Sequence, residues 1–194
     1  GAWRGQIAPI SWPAWFEQYR RFIHHFADIA RRCNAEAFIV GSELVSTEHF
    51  TDRWRKIIRD VRRIYTGKIA YSANWDHYQG IRFWNDLDYA SLTTYHNLNP
   101  SRKDNPTVED LANAWKPIKQ EILTWRSKID KPLLFAEVGW CSQQGCSTEP
   151  WNYYHNETAT PAGHAEQRNN YAAFVRTWRD CQHLAGIVFW EWTA

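Results

Sequence analysis

The chain has 194 residues, enough to bury a sizeable core in one domain and too few for two ordinary ones. Its 23 basic residues nearly balance 21 acidic ones, for a net charge of +2. That balance argues against nucleic-acid or membrane-surface partners, and no apolar run approaches the roughly 20 residues needed to span a bilayer.

The 13 Trp and an aromatic share of 16% are more unusual. So many rings suit a core together with a cleft that stacks flat ligands, because aromatic faces bury apolar area and make directional contacts. No Met occurs, even at position 1, and the chain opens on "GAWRGQI". The expectation is a natural protein that begins earlier.

In chain order, Tyr19, Phe22, Ile23, Phe26, Ile29 and Ala30 recur at helical spacing and predict a helix over 14–32, with Ser11 before Pro13 as its start. Residues 36–42 read as a buried strand. Trp54, Ile57, Ile58, Val61 and Tyr65 predict a helix over 52–65 that Gly67 closes. "KIAYSANW" (68–75) is a strand with a polar end, followed by a short helical turn at 80–85. "LDYASLTTYHNL" (87–98) is a third strand. Leu111, Trp115, Ile118 and Ile122 carry a helix over 107–128. "KPLLFAEVGW" (131–140) is a strand that begins at a Pro, a tolerated place. A loop at 141–161 precedes a helix over 163–182, with Tyr171, Phe174, Val175 and Trp178 on one face. "AGIVFWEW" (185–192) closes the chain as a fifth strand.

Helices alternate with apolar strands, which predicts an α/β fold with a parallel sheet wrapped by helices. No G-x-G-x-x-G or Walker loop follows a strand, so nucleotide-binding versions lose ground. Cys141 and Cys146 lie close together in the long loop, where they form either a disulfide or two free thiols. The cysteine spacing does not fit a zinc site. Asn156-Glu157-Thr158 matches a glycosylation sequon, which matters only in a eukaryotic secretory context.

Polar residues gather at the strand ends: Ser42-Glu43, Asn74-Trp75-Asp76, Tyr95-His96-Asn97, Glu137 with Trp140, and Trp190-Glu191-Trp192. In parallel α/β architectures that edge carries active sites. Glu43 and Glu137 stand at matched ends of two strands. Paired carboxylates suit glycoside hydrolysis, in which one protonates the leaving oxygen and the other attacks or activates water. Taken singly, each would be an ordinary cap or ion-pair acid. Glu48, beyond the first strand end, and Glu191, between two Trp, compete weakly for these roles.

"WRGQI…WFEQYRRFIHHFADIARRCNAEAFIVGSEL", "KIAYSANW", "FWNDLDYASLTTYHNL", "KPLLFAEVGW" and "PWNYY" together resemble glycoside hydrolase family 113, the β-mannanases of clan A. The resemblance covers nearly the whole chain. It implies a (β/α)₈ TIM barrel in which residues 1–194 form a single partial domain and supply about five parallel strands, equivalent to strands four to eight. It implies retaining hydrolysis of β-1,4-mannosidic bonds in oligosaccharide or polysaccharide, with no metal or organic cofactor. Glu43 would be the acid/base and Glu137 the nucleophile, and retention calls for carboxyl groups roughly 5–5.5 Å apart.

Tyr95 would orient Glu137, or else be one more strand aromatic. Ser42, Asn74, Trp75, Trp140 and Trp151 would meet the sugar, with Tyr153 extending the cleft. Of Trp190 and Trp192, one would floor the cleft and the other join the core. Ser42 stands where many clan members carry Asn. Strands one to three of the barrel are absent from this sequence, so an N-terminal segment or a second copy is expected to complete the sheet. The alternatives are a glycan-binding barrel remnant that no longer cleaves, or a fragment that needs a partner chain. Secreted and cytoplasmic settings both remain open.

Overall fold

A computed structural model describes residues 3–153 and 159–190. Among the described residues four long helices alternate with strands: α1 (Trp12–Arg32), β1 (Ala37–Ser42), α2 (Thr51–Arg62), β2 (Lys68–Ser72), β3 (Ala90–Thr93), α3 (Val108–Ile129), β4 (Leu133–Val138), α4 (Pro161–Trp178) and β5 (Leu184–Phe189). Short 3₁₀ turns at Val45–Thr47, Tyr78–Gly80 and Trp84–Asp86 fill the connections after β1 and β2.

Local chemistry explains most boundaries. The Ser11 hydroxyl accepts the Ala14 amide at 3.4 Å and caps α1, with Pro13 inside the first turn. At α3 the Thr107 hydroxyl accepts the Asp110 amide while the Asp110 carboxylate accepts the Thr107 amide, a reciprocal capping box. Thr160 caps α4 in the same way through the Gly163 amide, with Pro161 at the first helical position.

Gly67 does not close α2. That helix runs out at Arg62 and Arg63, which keep right-handed backbone. Gly67 answers to space instead, because a Cβ there would come within 2.1 Å of the Tyr65 hydroxyl.

β1 and β2 pair in parallel, Ala37 with Lys68 through Ser42 with Ser72, with an irregularity between Ile39 and Ser42. A parallel bridge joins Ala73 to Leu92. A second sheet has the order β3-β4-β5.

The chain divides into two compact units. One runs to Leu92 and includes Lys131–Leu134; the other comprises Thr93–Asp130 and the chain from Phe135 onward. In the first, α2 buries Trp54, Ile57, Ile58 and Val61 together with Ile69 and Tyr71 of β2. Trp54 meets the Tyr71 ring edge-on at 5.1 Å and stacks near Phe83 at 5.5 Å. In the second, Trp178 stands edge-on to Phe135 at 4.7 Å, beside Phe174 and Trp115. Lys119 reaches over the Trp178 ring and donates to the Thr177 carbonyl.

The helical stripes are not buried throughout. Phe22 of α1 is 55% exposed, and Phe26 and Val175 are exposed with it. β5 departs furthest from the expectation of a parallel strand covered on both faces: Ile187, Val188 and Phe189 all stand exposed.

Gly41 sits where β1 passes the aromatic layer. A Cβ there would meet Trp54 at 2.8 Å and the Tyr71 ring at 2.9 Å. Gly41→Ala is therefore expected to destabilise the first unit by about 1–3 kcal/mol through overpacking, read as a lower midpoint in chemical denaturation.

Candidate active site

Glu43 follows β1 directly and has left-handed backbone, φ 51°, which a non-glycine residue adopts only at a cost. Two successive amides explain the turn. Glu43 N–H donates to the Ser72 carbonyl of β2 at 2.8 Å, and Leu44 N–H donates to the Tyr71 hydroxyl at 3.0 Å. The side chain is buried, and Arg4 Nη2 donates to its Oε2 at 3.0 Å. Sequence reasoning missed Arg4, because a contact across 39 positions leaves no local signal.

Ser42 keeps its place in the β1–β2 register opposite Ser72 and is half-buried. Asn74 is buried, and its amide donates to Asp76 Oδ1 at 2.8 Å while its carbonyl accepts the Trp75 amide. Those bonds fix the turn after β2, leaving Trp75 half-buried and Asp76 in contact with His77 Nδ1.

Glu48, weighed in the sequence only as a weak competitor, is buried at 8% exposure. Its Oε1 accepts the Tyr71 hydroxyl at 2.8 Å. Burial is the main cause that pushes its carboxyl up from 4.5 to about 7, and the Tyr71 bond opposes the shift.

In the second unit, Glu137 lies on β4, half-buried, and its Oε2 accepts the Tyr95 hydroxyl at 3.0 Å. The Thr94 amide and hydroxyl both donate to the Glu137 carbonyl, at 2.9 and 3.1 Å. Backbone and carboxylate are thus held separately. Tyr153 stands close by: its hydroxyl donates to the Trp190 carbonyl at 3.1 Å and also interacts with Tyr95. Burial raises the pKa of that phenol well above its ordinary value. Gly139 is needed here, because a Cβ would fall 1.5 Å from the Trp190 carbonyl.

One expectation is corrected, and one open alternative is decided. Trp140 is not a sugar-facing residue. It is 2% exposed, edge-on to Tyr171 at 5.1 Å and beside Phe174, so it belongs to the core. Cys141 and Cys146 are free thiols rather than a disulfide. Cys141 Sγ turns toward Gln143 and the Asn152 carbonyl, while Cys146 is buried and accepts from the Asn170 amide. Their loop is pinned by another group: the Glu166 carboxylate of α4 accepts the Gly145 and Ser147 amides and the Ser147 hydroxyl.

Trp151 and Trp190 are about half-exposed. Trp192, Glu191 and the sequon at 156–158 lie outside the described residues.

The model of Glycoside Hydrolase Family 113 matches residues 1–194. The chain belongs to glycoside hydrolase family 113. A solved family 113 β-1,4-mannanase complex is similar to it at 26% identity and a TM-score of 0.82, over 99% of this chain and 59% of the other. The family 113 β-mannanase AaManA of Alicyclobacillus acidocaldarius, solved in complex with ManMIm, is similar at 29% identity and a TM-score of 0.78, over 99% and 58%. A Ruminococcus gnavus β-glucuronidase shares the fold at 10% identity, with a TM-score of 0.71 over 95% of this chain and 31% of the other. Comparison with curated proteins finds no match.

The chain therefore spans a little under three-fifths of the family 113 structures it matches. Its fold class is the (β/α)₈ barrel type, to which the described residues contribute five strands with their helices.

A raised carboxyl such as Glu48 favours the fold when protonated. That stabilisation is fully present below pH about 4.5 and is lost as pH rises through about 7. Glu48→Gln is expected to remove this part of the pH dependence, on the order of 1–3 kcal/mol between pH 5 and 8. Urea unfolding of both proteins at the two pH values measures it.

Proposed function

We propose that this chain carries the catalytic glutamates of a retaining glycoside hydrolase that cleaves β-1,4-linked mannan or mannooligosaccharides. Family membership supports the reaction class, and the similarity to solved β-mannanases supports the sugar. The observation that carries the mechanism is the Tyr95 hydroxyl on Glu137 Oε2. A phenol donating to a carboxylate favours the ionised form and fixes which lone pair is presented, as a nucleophile requires.

In this reading Glu137 attacks the anomeric carbon while Glu43 delivers a proton to the departing glycosidic oxygen. The covalent glycosyl-enzyme is then opened by water, whose proton passes to Glu43, and the configuration is restored by the second inversion. The reaction runs on the two carboxyl groups alone. Ser42, Asn74 and Trp75 at the first unit's strand ends, and Trp151 and Trp190 in the second, supply polar and stacking contacts to sugar rings.

Glu137→Ala is expected to lower turnover of an aryl β-mannoside by on the order of 10⁴-fold. Added azide should restore it and yield the α-mannosyl azide. Glu43→Ala with azide should yield the β-azide, because the glycosyl-enzyme still forms. Normal turnover by Glu137→Ala would refute the assignment, and binding of mannooligosaccharide without hydrolysis by the unmutated protein would favour a glycan-binding module.

A further inference from the structure

We propose that Glu48 and Tyr71 are positioning residues for Glu43. The Glu48 carboxyl holds the Tyr71 hydroxyl where it accepts the Leu44 amide, and so fixes the left-handed backbone from which the Glu43 side chain departs. The proposal rests on Glu43 being the acid/base.

A phenolic hydroxyl has one hydrogen. With that hydrogen given to Glu48 Oε1 at 2.8 Å, the oxygen's lone pairs face Leu44 N–H at 3.0 Å. Removing the acceptor frees the hydrogen to rotate toward the amide, where two donors would oppose each other. The ring itself cannot move aside. Tyr71 is fully buried, edge-on to Trp54 at 5.1 Å and to Phe83 at 5.3 Å, with Gly41 leaving the space it occupies.

Leu44 is held at its other end too, because its carbonyl accepts both the Thr47 amide and hydroxyl, at 2.8 and 2.7 Å. The Trp54 indole N–H in turn donates to the Thr47 carbonyl at 3.1 Å. With Glu43 N–H on Ser72, the peptides on both sides of the Glu43 Cα are tied to buried groups. A carboxyl is an expensive way to fill a core position, and a packing role alone would suit an apolar side chain better. The charged and titratable groups that act on Glu48 are Tyr71, His77, Asp76 and Glu43 itself.

A misplaced acid/base hurts poor leaving groups and spares good ones, which depart without a proton. A loss of packing hurts both alike. The value of kcat/KM on phenyl and 2,4-dinitrophenyl β-mannobiosides reads the difference, because it reports only the first chemical step. Tyr71→Phe and Glu48→Ala are each expected to lose roughly 10- to 100-fold on the phenyl substrate and under about 3-fold on the dinitrophenyl one. Glu48→Gln, which keeps an oxygen acceptor but has no proton to give, should recover most of what Glu48→Ala loses.

Equal losses on both substrates, or none, would overturn the positioning role. A Glu48→Gln variant as damaged on the phenyl substrate as Glu43→Gln would overturn it as well, by making Glu48 the acid. Glu43→Gln tests the underlying assignment separately: it must show the leaving-group dependence in its own right, and if it does not, the acid/base reading fails whatever Tyr71 and Glu48 do.

Discussion

The left-handed turn at Glu43 is the constraint around which the first unit is arranged. A side chain with a Cβ enters that region at a cost of about 1–3 kcal/mol, so something nearby must hold it there. Here two consecutive amides, of Glu43 and Leu44, are claimed by the carbonyl of Ser72 and the hydroxyl of Tyr71. Both acceptors belong to β2, so the pairing of β1 with β2 and the turn after β1 are one structure. Gly41 lets the Tyr71 ring approach, and Trp54 of α2 closes over it. The burial of these rings offsets the strain. A carboxyl leaving a strand in this way is presented by backbone that has little freedom to relax.

Glu137 is presented differently. It stays within β4, in ordinary extended structure, and its precision comes from hydrogen bonds on both its backbone and its side chain. Thr94 and Tyr95 are adjacent residues just beyond β3, so one short segment supplies both restraints. Trp140, Phe174 and Trp178 form a buried aromatic cluster in the same unit. The two carboxyl groups thus have different supports, strained backbone for Glu43 and hydrogen bonds within a strand for Glu137.

Much of this was legible before any coordinates. Helix periodicity located all four long helices, because burying one face at 3.6 residues per turn leaves a pattern that few other constraints disturb. Ser11, the start expected for the first helix, does cap it through the Ala14 amide. The errors are equally physical. Gly67 was read for its conformational freedom, whereas a close tyrosine hydroxyl requires it. Trp140 lay at the polar end of a strand, but the ring turns back among Tyr171 and Phe174. For Cys141 and Cys146 the sequence left a disulfide and free thiols open, and the loop held by Glu166 decides for free thiols by directing the sulfurs to different partners.

The sequence by itself determined the alternation of helices and strands, the family, and the two strands near whose ends Glu43 and Glu137 fall. These depend on local periodicity, capping chemistry and ordered motifs, all of which are written along the chain. Only the tertiary structure decided that Glu43 has left-handed backbone, that Arg4 reaches its carboxylate, and that Glu48 is buried against Tyr71. Each of those depends on groups 23 to 39 positions apart meeting in a desolvated interior. The energy of such contacts is set by burial and angle, and no local pattern encodes either.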